Sequence, residues 1–142
     1  MIQIQIAGRD GNRARVTPSG ELVVAPIAYN ETESNTLDVA GTAYNFYAPL
    51  PGKQFVISSI IAYADKDVTG GGANAIITVF EASDKDSATV DKALLPFALE
   101  QNQLFPPVPL NILVNPGVWV NAKTDDDDIL MTILGYYINE LT

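Results

Sequence analysis

Four consecutive aspartates, residues 125–128, form the densest group of ligating side chains in this chain of 142 residues. Hard cations such as Ca²⁺ take several carboxylate oxygens, which makes Asp125 and Asp127 the candidate metal ligands. Their spacing argues against that chemistry. A Ca²⁺ loop sets ligands at alternate positions around a glycine, whereas adjacent residues of a strand point to opposite sides. A solvated hairpin tip, its like charges repelling, is the plainer expectation. Asp65 and Asp67 beside Gly70, Gly71 and Gly72 make a second cation-loop candidate with the same weakness. Acid pairs for glycoside hydrolysis could be chosen only arbitrarily. Such enzymes need one carboxyl of raised pKa in a cleft, and Glu31, Glu33, Asp84 and Asp86 fall in turns or connectors.

The chain has no Cys and no His. Thiolate metal sites, disulfides, cysteine nucleophiles and imidazole-dependent triads are therefore excluded. No Gly-rich phosphate loop or Gly-x-Ser-x-Gly elbow is present. The sequence predicts no enzyme and no cofactor. Trp119 and the tyrosines Tyr29, Tyr44, Tyr47, Tyr63, Tyr136 and Tyr137 could stack on a sugar, but aromatics on strands are more often core or interface anchors. Tyr63, Trp119, Tyr136 and Tyr137 are the expected subunit-interface residues.

Charge divides the chain. Residues 1–20 hold all three arginines (Arg9, Arg13 and Arg15) against one aspartate, net +2. Residues 21–142 hold five lysines against sixteen carboxylates, net −11. A body this acidic is not built to neutralise phosphates, so nucleic acid is not an expected partner. No apolar run approaches the roughly 18 residues of a membrane span, and the start lacks the pattern of a signal peptide.

These residues must be carried by strands. Period-two patterning, broken by turn residues, runs through most of the chain. Ile2, Ile4 and Ile6 alternate with glutamines, and turns at 8–12 and 18–20 divide an N-terminal arm over residues 1–27. The acidic stretch 28–35 reads as a connector to a body over 28–142. In the body, 42–48, 54–64, 75–81, 110–114, 118–123 and 129–138 read as strands. Residues 88–103 read as strand and turn, because Pro96 forbids one long helix. Pro106, Pro107 and Pro109 confine their segment to an edge or an extended lead-in. The fold expected is an all-β antiparallel sandwich, most simply a jelly roll.

Two strands are apolar on both faces. Phe55, Ile57, Ile61 and Tyr63 should share one face of 54–64, with Val56, Ile60 and Ala62 on the other. On the last strand Ile129, Met131, Ile133 and Tyr137 oppose Leu130, Leu134, Tyr136 and Ile138. A sheet with one solvated face should be polar there. A neighbouring subunit is the expected cover, with the arm or a loop of the same chain as the alternative.

The opening GRDGNRARVTPSGELVV resembles the N-terminal segment of tailed-phage virion proteins, in which such a stretch precedes a β-sandwich. The ending LNILVNPGVWVNAKTDDDDILMTILGYYI resembles the last strands of phage jelly rolls, although its aspartate tip is unusually acidic. The resemblance implies a capsid decoration (cement) protein on the outer surface of the virion. It further implies a homotrimer that clamps the major capsid protein. Ile2, Ile4, Ile6, Arg9, Arg13 and Arg15 would then make the arm's contacts. Two alternatives are a tail or head-fibre component that binds a host surface glycan, and a cellular sugar-binding module.

Overall fold

The computed structural model describes residues 29–64, 74–126 and 128–140. Among these the chain forms β1 (Glu31–Leu37), β2 (Tyr44–Tyr47), β3 (Lys53–Ala64), β4 (Ala75–Ala82) and β5 (Lys92–Leu99), then β6 (Leu104–Phe105), β7 (Ile112–Leu113), β8 (Trp119–Thr124) and β9 (Ile129–Asn139). They make two antiparallel sheets, one in the order β1-β9-β3-β6 with β7 also on β3, the other in the order β2-β8-β4-β5. Early strands pair with late ones: β1 with β9, β2 with β8, β3 with β6 and β7, and β4 with β5. This is a long hairpin folded over on itself, a nesting consistent with a jelly roll.

Local chemistry explains most element ends. Pro51-Gly52 and Pro116-Gly117 place a fixed φ before a glycine at φ +70° and +78°. That is the sequence of a type II turn, and Lys53 N donates to Leu50 O at 3.0 Å across the first. Pro96 sits in β5, an edge strand, where a missing donor costs least. The prolines 106–109 separate β6 and β7, two-residue strands at the edge of β3.

The core lies between the sheets. Leu37, Ile57, Ile60, Ile77, Val79, Val120, Ile129, Met131 and Ile133 are all fully or nearly fully buried there. Each such side chain contributes roughly 1.5–3 kcal/mol of transfer free energy. Aromatic contacts close the sandwich at both margins. Tyr47 of β2 stacks on Phe55 of β3 (centroids 3.9 Å apart), and Phe55 meets Tyr137 of β9 edge-on at 5.0 Å. At the other margin Phe97 of β5 meets Phe105 of β6 at 4.6 Å. Gly135 has to be a glycine. A Cβ there would collide with the Val56 carbonyl oxygen and stand 2.5 Å from Phe55 Cζ.

Three sequence expectations change. The stretch 28–35, expected as a connector, holds a strand from Glu31 onwards: Glu31–Leu37 is paired residue for residue with β9 from Glu31↔Gly135 to Leu37↔Ile129. Its polarity is that of an edge strand, of which only Leu37 is buried. The faces assigned to β3 are also corrected. A bulge between Ile57 and Ser59 inserts an extra residue and exchanges the faces beyond it. Phe55, Ile57, Ile60, Ala62 and Ala64 therefore share the core, while Ile61 and Tyr63 turn outward. Finally, the tip at 125–128 is not uniformly solvated, because Asp126 is buried.

The bulge predicts an order of stabilities. Ile60→Ala should cost about 2–5 kcal/mol, the usual range for emptying a core site, and Ile61→Ala less than half as much. Urea unfolding of the two variants reads the difference directly. The reverse order would mean that β3 runs without the bulge.

Candidate functional site

Beyond the bulge, the register of β1, β9 and β3 sets the outer face of their sheet in transverse rows. Thr36, Leu130 and Tyr63 form one row, Ser34, Thr132 and Ile61 the next, and Thr32, Leu134 and Ser59 the third. Tyr136 beside Val56 and Ile138 beside Gln54 continue it. β1 contributes hydroxyls, as do Thr132 of β9 and Ser59 of β3, and the other positions of β9 and β3 in these rows contribute aliphatic and aromatic groups. Ser34 and Thr132 hydrogen-bond through their hydroxyls at 2.7 Å, and the Tyr63 hydroxyl donates to Asn102 Oδ1 at 3.1 Å. Leu130 is 43% exposed, and Ile61, Tyr63, Leu134, Tyr136 and Ile138 are half-buried. A shallow depression of about 260 Å³ lies among Ser34, Thr36, Ile61, Tyr63, Leu130 and Thr132.

The opposite sheet treats its outer face differently. Phe80 of β4 points away from the core, yet it is fully buried. Lys123 lies over its ring, 5.6 Å from the centroid, and donates to Ala88 O at 2.8 Å. Asn121, wholly buried, donates to Asp84 O and Ser87 O at 3.1 Å each. The β4–β5 loop is thus fastened down as a lid on its own sheet. Along β3 the outer face of the sheet of β1, β9 and β3 is buried at Gln54, Val56 and Ser59, with the Ser59 hydroxyl donating to Val108 O at 3.0 Å. Among the described residues, the part carrying Leu130, Ile61 and Tyr63 has no comparable lid.

The buried carboxylate of Glu81 closes one end of the sandwich. It accepts from Asn115 N and Nδ2 at 2.9 Å each, with Lys92 Nζ 3.6 Å away. These contacts hold the turn before β8 and leave the group structurally occupied.

The structure separates the expected interface residues. Tyr63 and Tyr136 share the open face, towards opposite ends of it. Trp119 belongs to β8, in the other sheet. Tyr137 points inward, with its ring against Phe55 and its hydroxyl donating to Ala48 O at 2.7 Å. Of the proposed Ca²⁺ ligands, Asp125 accepts from Ile76 N through Oδ1 at 2.6 Å, and Asp127 lies outside the described residues. Among the described residues no three His, Cys, Asp or Glu side chains come together as a metal site. No described helix is long and apolar enough to cross a membrane. Ile2, Ile4, Ile6, Arg9, Arg13 and Arg15, together with Asp65 and Asp67, lie outside the described residues. No protein-family model, curated protein or solved structure matches this chain.

The aromatic margin beside the site carries a titration. Burial, and then the charges of Glu33 and Glu31, push the Tyr47 phenol well above its ordinary value of about 10. Burial and the charge of Glu31 also raise Tyr137. A raised phenol stabilises the fold fully below its unfolded pKa, and that contribution is lost as pH rises through the folded value. Above about pH 10, Tyr47 alone should cost about 1.4 kcal/mol of stability per pH unit. Tyr47→Phe should flatten this alkaline decline. It should also lower stability at neutral pH by about 1 kcal/mol, because the hydroxyl donates to Ile133 O at 2.6 Å. Denaturant unfolding at pH 7 to 11 checks both, and an unchanged alkaline slope would contradict the assignment.

Proposed function

We propose that this chain is a non-enzymatic capsid decoration (cement) protein of a tailed phage, which binds the major capsid protein on the outer surface of the virion. The observation that supports this best is the contrast between the two outer faces. A polar lid is fastened over one sheet, whereas among the described residues the other keeps Leu130 exposed and Leu134, Tyr63 and Tyr136 half-exposed. Contiguous exposed apolar surface on a small acidic domain marks a docking surface. Its flat shape suits a protein partner better than a small substrate, which calls for concavity. The resemblance of residues 8–24 and 110–138 to phage virion proteins is what supports the major capsid protein as partner and a trimer as the assembly. The basic arm, with Arg13 and Arg15, would fasten each copy to its neighbours, and the acidic body would face the medium.

A second reading has one observation in its favour. The depression beside Tyr63 combines an aromatic ring with the hydroxyls of Ser34, Thr36 and Thr132, a composition that can take a sugar. In that reading the protein is a tail or head-fibre component that binds a host surface glycan.

Electron microscopy of purified virions should find the protein on the outer shell. A Leu130→Asp/Leu134→Asp variant should keep its fold, because both side chains point outward, and should lose binding to undecorated capsids. Deletion of residues 1–24 should also abolish binding while leaving a folded body. Undiminished binding by both variants would refute the assignment. Binding to a glycan array in the absence of capsids would favour the second reading.

A further inference from the structure

Edge strands expose unpaired backbone groups, and proteins protect them with prolines, lysines, bulges or short length. Three of the four sheet margins here are protected. β5 carries Lys92 and Pro96, β2 is four residues long with a register shift between Asn45 and Tyr47, and β6 and β7 have two residues each beside prolines. β1 has no proline, lysine or bulge and is not short; its charged protection is the pair of carboxylates Glu31 and Glu33. Seven residues long, without Pro, Lys or Arg, it runs in unbroken register with β9 and has no strand on its other side among the described residues. The side chain of Asn35 ties it across to β2, by a hydrogen bond to Asn45 O of 2.8 Å. Its charged groups are all acidic: Glu31, half-buried, and Glu33, exposed.

We propose that the free edge of β1 is the seat for the N-terminal arm of a second copy of this chain, which adds residues 13–16 to the sheet as a further strand. Two observations choose this occupant. The arm holds every arginine of the chain, Arg13 and Arg15 among them, and a strand running Arg13-Ala14-Arg15-Val16 sets both guanidinium groups on one side, opposite the edge acids. The chain enters the sheet beside Gly135, where Asn30 N donates to Gly135 O at 3.0 Å, with 28 residues before Tyr29. That length can reach about 90 Å when extended, ample for a neighbour.

Addition within one chain is the poorer fit. The segment nearest β1 in sequence, residues 21–24, would fold back first. It would set Glu21 against Glu31 and Glu33, with the arginines a strand further away. Exchange between copies puts basic against acidic. Backbone hydrogen bonds then supply most of the affinity, and the charges fix partner and register. This inference rests on residues 1–27 being an arm. It requires no capsid, so its test stands apart from the test of the decoration role.

Two charge-reversed variants make the test, Glu31→Lys/Glu33→Lys and Arg13→Glu/Arg15→Glu. Each alone should self-associate at least about tenfold more weakly than the parent chain in sedimentation velocity, because like charges then face each other. Mixed together, the two should associate again, since each arm now meets an edge of opposite sign. Circular dichroism of each variant confirms that the sandwich is intact. If a variant unfolds, a second measurement replaces it. In this cysteine-free chain, Arg15→Cys on one tagged copy and Glu33→Cys on another should form an intermolecular disulfide on oxidation. Failure of the mixture to associate, a parent chain that is monomeric at micromolar concentration, or a cross-link only within a doubly substituted chain would each overturn the proposal.

Discussion

The antiparallel ladder between β3 and β9 is the constraint on which the rest of this molecule depends. It runs from Lys53↔Asn139 to Ala64↔Ile129 and forms the middle of the larger sheet. Its one irregularity, the bulge at Ser58, determines which side chains of β3 meet the core and which meet the medium. Ser58 and Ser59 are both buried there, and both hydroxyls are used: Ser58 donates to Leu134 O at 3.1 Å and Ser59 to Val108 O at 3.0 Å. The bulge therefore leaves no polar side chain unsatisfied, and it sends Ile61 and Tyr63 outward to join Leu130 and Leu134. An apolar outer face follows from one extra residue in one strand.

How much of this was legible in the residues varies with the element. β3, β4 and β9 stand in the sequence almost to the residue, because long β-branched and aromatic runs between turn residues admit few other structures. β5 was legible through Pro96, which rules out the helical alternative. β1 was not legible, because a polar edge strand and a surface connector have the same composition. Only its pairing with β9 distinguishes them, and pairing is non-local. The bulge escaped for a related reason. Simple alternation runs straight through Ser58-Ser59, although two adjacent serines inside an apolar run mark the place where the period breaks. Two of the four aromatics expected at an interface, Tyr63 and Tyr136, lie on the open face. Tyr137 is engaged inside, since its register to Phe55 could not be known before the ladder was.

The two sheets dispose of their outward apolar groups by opposite means. Phe80 is hidden by a loop of the same chain, held down through Asn121 and Lys123 and supported by main-chain carbonyls. That arrangement uses a buried amide with all its bonds made, a strongly specified piece of structure. On β3 and β9 the analogous groups are bordered, among the described residues, by the hydroxyls of Thr32, Ser34, Thr36 and Thr132. A surface of this kind, apolar in the middle and polar at its rim, has the layout of a protein–protein contact. The free margin of β1 adjoins it, so a strand added there would enlarge the same face.

The pairing of the earliest described strand with the latest has a consequence for biosynthesis. Ser34 and Thr132 touch although they stand 98 positions apart in the sequence, and Tyr47 reaches the carbonyl of Ile133, 86 positions on. Contacts so distant along the chain must be closed at an entropic cost before they return any stabilisation, which makes assembly slow. On the ribosome, β1 and β3 emerge long before β9, the strand that joins them in one sheet. Until β9 follows, the growing polypeptide holds a row of unpaired, aggregation-prone segments, and its acidic composition is what keeps them apart.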